Sequence, residues 1–371
     1  MSDSVRLQEE AWEHADRGDY TSAIDALARA LSVVEREDGP DTLDAANLLA
    51  ELADLFETTC RYEDAAGAAR GSVAILAKAP ERDETVAIIE ARAWQTLSAS
   101  LRALGRFGEA RHAVLEAVRG AETGLGAEHP DTAAALNALG MFHKFSGEFD
   151  LAEAAYRRAM AILLPVHGQD GPGMASLYHN LGGLHHARGA FAEGIPWARR
   201  AWEIRSRELG EDSPEATADA VALAALLDEG GPSAESERIY RRALEVWRRR
   251  FGDEHYEVAS TLHNLAALRR DSGDRLEAET LFRQAYEMKV ELLGPGSPDT
   301  ALSAACLAAM LERDGDRGEA LRLARSAAAA FEANCLPSHP QSLACRGLAG
   351  RLEAAEKNRE SERKPATMAH E

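Results

Sequence analysis

Asn180 and Asn264 stand in two near-identical strings, HNLGGL and HNLAAL. A side-chain amide donates and accepts at once, so it can hold both the C=O and the N–H of a passing peptide. The same amide also suits a solvated position on a helix. His179, His185 and His186 crowd the first string, and His263 lies in the second. At ~100° per residue, His179 and His186 share a helical face, whereas His179 and His185 point about 120° apart. Metal binding there would need a further acid or imidazole from a neighbouring helix, and neither metal nor cofactor is expected. His129 and His339 precede proline and read as helix caps. Arg157, Arg199, Arg241 and Arg283 recur every 42 residues. With glutamates a turn earlier they read as a solvated, salt-bridged face; the other reading is a surface for an acidic partner. There is no GxSxG, phosphate loop, HExxH or dinucleotide fingerprint, so no catalytic residue is assigned.

What positions these residues is a repeat. Glycines fall at Gly105, Gly147, Gly189, Gly231, Gly273 and Gly315, and again at Gly126, Gly168, Gly210, Gly252 and Gly294, each series in steps of 42. Prolines follow at Pro130, Pro172, Pro214, Pro298 and Pro340, with Tyr256 standing in once. The first glycine lies between two helical patterns, where a tight turn needs positive φ. The second ends the longer helix, at the C′ position. Ser213-Pro214-Glu215 and Ser297-Pro298-Asp299 combine an N-cap, a proline at N1 and a first-turn acid, a strong helix start. Between these marks apolar residues recur at three- and four-residue steps, as in Ala152, Tyr156, Ala159 and Ile162. One such hairpin cannot bury its apolar face alone, but stacked neighbours can.

The spacing predicts an all-α chain of eight hairpins, over 4–35, 42–77, 84–122, 131–164, 173–207, 215–250, 257–292 and 299–332. The step from the second to the third is 45, with the extra residues in 78–83. A capping helix is expected over 341–356, covering the last hairpin with Leu343, Leu348 and Leu352, and a disordered tail over 357–371.

HPDTAAALNALGMFHKFSGEFDLAEAAYRRAMAIL and YEVASTLHNLAALRRDSGDRLEAETLFRQAYEMKVELLG resemble tetratricopeptide repeats, in the 42-residue form of kinesin light chains. The chain departs from the pattern at Gly194 and Ser236, which replace an alanine, and at Ala324, which replaces an aromatic. The resemblance, which covers about 4–356, implies a right-handed α-solenoid whose first helices line a concave groove. On that basis the groove carries Arg102, Asn137, Lys144, His179, Asn180, His263, Asn264 and Arg270. The asparagines would bond the backbone of a peptide or protein partner, and the cations would attract its acidic side chains.

A formal net charge of −20 disfavours general binding to phosphate backbones. The apolar run from Ala220 to Leu227 is far too short to span a bilayer. The opening MSDSVRLQEE shows no leader pattern, and Cys60, Cys306, Cys335 and Cys345 show no zinc or CxxC spacing. Together these favour a cytoplasmic scaffold or adaptor that holds a protein or peptide, with self-association through the groove or the ends as a further route. The other class of function is an enzyme or small-molecule-responsive regulator with its site in the histidine-rich fifth repeat.

Overall fold

The computed structural model describes residues 2–80, 82–228, 230–314 and 316–363. Seventeen α-helices and no strand occur among them. They pair as α1 (Asp3–Asp16) with α2 (Tyr20–Glu37), α3 (Leu43–Thr58) with α4 (Tyr62–Leu76), and α5 (Glu84–Ala103) with α6 (Phe107–Gly124). Next come α7 (Pro130–Ser146) with α8 (Phe149–His167), α9 (Pro172–Arg188) with α10 (Phe191–Leu209), and α11 (Pro214–Asp228) with α12 (Ala234–Phe251). The last pairs are α13 (Tyr256–Asp271) with α14 (Arg275–Leu293) and α15 (Pro298–Asp314) with α16 (Arg317–Asn334), closed by α17 (Pro340–Arg363). Each helix packs on the next, and successive first helices (α3 on α5, α5 on α7, α7 on α9) also touch one another. First helices therefore form the inner layer of a solenoid and second helices the outer. No helix among the described residues is long and apolar enough to cross a membrane.

The local chemistry explains the elements. Asp19, Thr42, Asp83, Ser233, Asp274 and Asp316 each accept the N–H three residues on, as N-caps do. His129, His255 and His339 do the same job with Nδ1, each accepting from the N–H two residues on at 3.2 Å. The core is built from alanine and glycine at crossing points. A Cβ on Gly140 would lie 2.4 Å from Tyr156, and one on Gly194 would lie 2.8 Å from Leu226. Gly194 departs from the repeat because the leucine below needs that space. On α17 the buried face is Cys345, Leu348, Ala349 and Leu352, whereas Leu343, expected on it, is exposed on another side of the helix. The helix runs on to Arg363, past the boundary at 356. The rest of the expected tail, and Gly315, lie outside the described residues.

The solenoid comes round far enough for its first four hairpin turns to rest on later inter-hairpin junctions. Arg250 donates to the carbonyls of Ala15 and Asp16, at 2.9 and 3.0 Å, and to the Tyr20 hydroxyl at 3.1 Å. His255 Nε2–H donates to the Thr58 carbonyl at 2.8 Å. Gly105 lies against the backbone of Gly296. Leu336 N–H donates to the Ser146 carbonyl at 3.0 Å, and the Cys335 thiol to the Phe145 carbonyl at 3.3 Å. Cys60 takes φ +60°, where Gly18 and Gly105 stand in neighbouring units. Its sulfur accepts the Tyr256 N–H at 3.4 Å, a contact glycine could not make.

Two outcomes follow for stability. Gly210 has φ +89° and ψ 152°, a region almost confined to glycine, and no atom crowds its missing Cβ. Gly210→Ala should therefore cost about 1–3 kcal/mol from backbone strain alone, read as a lower urea midpoint. Arg250→Ala removes a cation shared by two helix-end carbonyls and should cost about 1.5–3 kcal/mol. It should also increase the radius of gyration in small-angle scattering; an unchanged radius would mean that the other seam contacts hold without it.

Candidate functional site

One position near the end of each first helix carries an ionisable residue in seven consecutive units: Glu57, Arg102, Lys144, His186, Asp228, Arg270 and Glu312. The inner layer brings them into a file along the concave face. The Arg102 guanidinium lies 4.1 Å and the Lys144 ammonium 4.5 Å from the centre of the Phe145 ring. Neither makes an ion pair within 4 Å among the described residues. Both draw on the ring's negative face, which stabilises a partly desolvated cation. Burial, reinforced by the neighbouring Arg102 charge, brings Lys144 down to about 8. Burial pushes Glu57 up to about 7, with Arg102 opposing and Asp54 adding to the shift.

Asn137 and Asn180 sit on adjacent first helices, and Asn180 Nδ2 donates to Asn137 Oδ1 at 2.8 Å. That bond orients both amides and leaves Asn137 Nδ2–H and Asn180 Oδ1 unused. Asn264 is half-buried on α13, and its amide makes no hydrogen bond to the described residues. His179 Nδ1 meets Asp219 Oδ1 at 2.6 Å, and Asp219 is wholly buried. Arg102, Asn137, Lys144, His179 and Asn180 thus form one connected stretch on α5, α7 and α9.

Two of the expected groove residues are engaged elsewhere. His263 is 9% exposed, bonded through Nδ1 to the Ser303 hydroxyl at 3.0 Å and edge-on to Phe282. It belongs to the layer between helices; burial, then Lys289 and Arg270, holds it well below the usual imidazole range. Arg270 is forked onto Asp271 at 2.7 and 3.0 Å, which reduces its call on an outside carboxylate. The other histidines of the fifth unit separate. His185 lies 3.5 Å from Glu193, and His186 packs edge-on against Phe191. No group of three metal-ligating side chains occurs among the described residues.

Sequence reading missed the opposite wall. Glu257 is pushed up to about 7 by burial, with Lys289 opposing. Lys289 is 2% exposed, its ammonium 3.5 Å from the Asp299 carbonyl and 5.9 Å from the Tyr256 ring centre. Burial lowers its pKa. Glu57 could have been found by counting back from Arg102; Lys289 lies on a second helix and is buried against the adjoining hairpin, with Tyr256 and Asp299 beside it. On the outer face three of the four ladder arginines are salt-bridged, Arg157 to Glu153, Arg241 to Glu237 and Glu277, and Arg283 to Glu279 and Glu319, whereas Arg199 makes no ion pair among the described residues. A cleft of about 910 Å³ lies apart from the groove, between α10, α11 and α12, with Trp202, Leu223 and Ile239 in its walls.

A family profile described as tetratricopeptide repeat matches residues 14–78, 90–164 and 220–289, and a second of the same description matches 174–215. The chain belongs to the tetratricopeptide repeat family. No curated protein matches it. Among solved structures, the Rap conjugation gene regulator of plasmid pLS20, in complex with the Phr* peptide, superposes with a TM-score of 0.60 at 14% identity. That match covers 99% of this tetratricopeptide chain and 98% of the regulator. A Rap protein complexed with competence and sporulation factor gives 0.57 at 15% identity, over 86% of this chain and 88% of that one. Repeats of a kinesin light chain from Podosopora anserina give 0.41 at 20% identity, over 54% and 94%. At these identities the likeness is one of fold.

The shifted groups set a pH dependence. Between 4.5 and about 7 the folded protein holds protons on Glu57 and Glu257 that the unfolded chain releases. Their contribution is complete below 4.5 and is lost as pH rises through 7. Lys144 acts in the opposite sense: it loses its proton near 8 when folded and at 10.5 when unfolded. Stability from this group therefore returns as pH rises from 8 to 10.5. The three together should give a shallow minimum between about 7 and 8. Thermal melts across pH should show the acid limb flattened in Glu57→Gln with Glu257→Gln; an unchanged slope would exclude these carboxyls.

Proposed function

We propose that this solenoid is a binding scaffold that holds an extended segment of a peptide or partner protein along its first-helix face. The observation that carries this reading is the set of unused valences there. Among the described residues Asn137 keeps a donor, Asn180 an acceptor and Asn264 both, while Arg102 and Lys144 make no close ion pair in a chain of net charge −20. On the outer face, by contrast, Arg157, Arg241 and Arg283 are bridged to glutamates. An extended peptide presents alternating C=O and N–H groups that the amides can take up, and the two cations favour an acidic residue in the same segment. The Rap conjugation gene regulator of plasmid pLS20, solved in complex with the Phr* peptide, fits this reading. Four cysteines without a disulfide fit a reducing compartment, and we place the protein in the cytoplasm.

The test uses random peptides displayed on phage, selected on the wild-type protein and measured by calorimetry. Asn180→Ala with Asn264→Ala should weaken a selected peptide by about 1–3 kcal/mol, the worth of two hydrogen bonds, with circular dichroism unchanged. A folded double variant of undiminished affinity would move the site off the first-helix face.

A further inference from the structure

His179 precedes Asn180 on α9, at the centre of the connected stretch. Its Nδ1 lies 2.6 Å from Asp219 Oδ1 on α11. The same oxygen lies 3.3 Å from Arg205 Nη1, and Arg205 Nη2 donates to Ser176 Oγ at 2.6 Å. Asp219 is wholly buried, and its Oδ2 has no hydrogen-bond partner among the described residues. A carboxylate removed from water needs a counter-charge and donors. Arg205 supplies the charge and is itself held by Ser176, so His179 need not be cationic to satisfy Asp219. An ionised carboxylate only accepts, so the proton of the His179–Asp219 bond sits on Nδ1. In a neutral imidazole that leaves Nε2 as an acceptor. Nε2 has no partner among the described residues, and the His179 side chain retains 32% of its exposure.

The corresponding histidine two units on shows what Asp219 adds. His263 meets a serine hydroxyl instead of a carboxylate. A hydroxyl can donate or accept, so Ser303 does not dictate a tautomer. His263 is also far less exposed. Only in the fifth unit is the ring both oriented by an obligate acceptor and open toward the groove.

We infer that Asp219 is a positioning residue that locks His179 as the Nδ1–H tautomer, so that Nε2 accepts a backbone N–H from a peptide in the groove. The inference rests on the groove-binding reading for its ligand and on local geometry for its tautomer. The donor is a neutral N–H and not a cationic side chain because Arg205 lies behind the ring. Lys144 also reaches α9, its ammonium 3.3 Å from where a Cβ on Gly183 would stand. With Asn137 Nδ2–H as a donor and Asn180 Oδ1 as an acceptor beside it, His179 completes a donor and acceptor pattern matched to one extended strand.

Two measurements test this separately. Long-range ¹H–¹⁵N correlation spectra near neutral pH, with His179 assigned by its loss in His179→Phe, should show an unprotonated Nε2 and a protonated Nδ1. Asp219→Asn, whose amide can donate, should shift His179 toward the Nε2–H form. An imidazolium or Nε2–H ring in the wild-type protein overturns the tautomer, whether or not the Asp219 variant folds. The second measurement takes the phage-selected peptide and methylates each backbone nitrogen in turn. One position should lose about three- to tenfold in affinity for the wild type and nothing for His179→Phe. Equal losses in both proteins would remove His179 as an acceptor. Failure to select any groove-bound peptide would count against the scaffold reading and, with it, the ligand half of this inference; the spectra judge the tautomer independently.

Discussion

The last carbonyl oxygens of a helix have no partner within it, and the structure depends on where those of the first four hairpins find one. For α1, α3 and α7 the donors come from the far side of the solenoid: Arg250, His255 and the Cys335–Leu336 segment. Each donor belongs to a junction between later hairpins, so one set of contacts satisfies helix ends and closes the solenoid on itself. Closure gives the first-helix face an opposing wall, and that wall makes the groove a confined environment. The left-handed backbone of Cys60 is tolerated in the same seam, where its thiol and apolar neighbours Tyr62, Ala103 and Leu293 pack together.

Confinement changes the electrostatics. A net charge of −20 would suggest that cations anywhere on the molecule are neutralised. On the outer face Arg157, Arg241 and Arg283 are, through glutamates one turn or one hairpin away. Inside, burial penalises both signs: Glu57 and Glu257 shift toward the neutral acid and Lys144 toward the neutral amine. The two acids titrate near neutrality, so the interior is less acidic than the surface. Phe145 holds Arg102 and Lys144 side by side, and neither makes an ion pair among the described residues, leaving two cations able to meet an anion.

Much of the fold was legible because hairpin formation is local. The 42-residue spacing of glycine and proline marks turns and helix starts whose geometry depends on neighbours within a few residues. The hairpins and the capping helix follow from that spacing and from the three- and four-residue apolar steps. The site was legible in part. Asn137 and Asn180 could be placed on one face from helical periodicity, and their hydrogen bond links adjacent units, the nearest contact a repeat can make. His263 could not be distinguished from His179 by position, since both occupy the same register; the residue forty places on, Ser303 or Asp219, decides which ring is engulfed.

The sequence by itself determined the unit, its length and its caps. Only the tertiary structure decided which faces meet. A small rotation per hairpin accumulates along the array, and after several hairpins it brings Arg250 to Tyr20, 230 residues away, and His255 to Thr58, 197 away. That sum depends on side-chain volumes at every crossing, as at Gly140 and Gly194, and no single repeat contains it. The burial of Lys289, the neutralisation of Glu57 and the setting of His179 against Asp219 follow from how the hairpins stack, because desolvation depends on what surrounds a group and not on its neighbours in the chain.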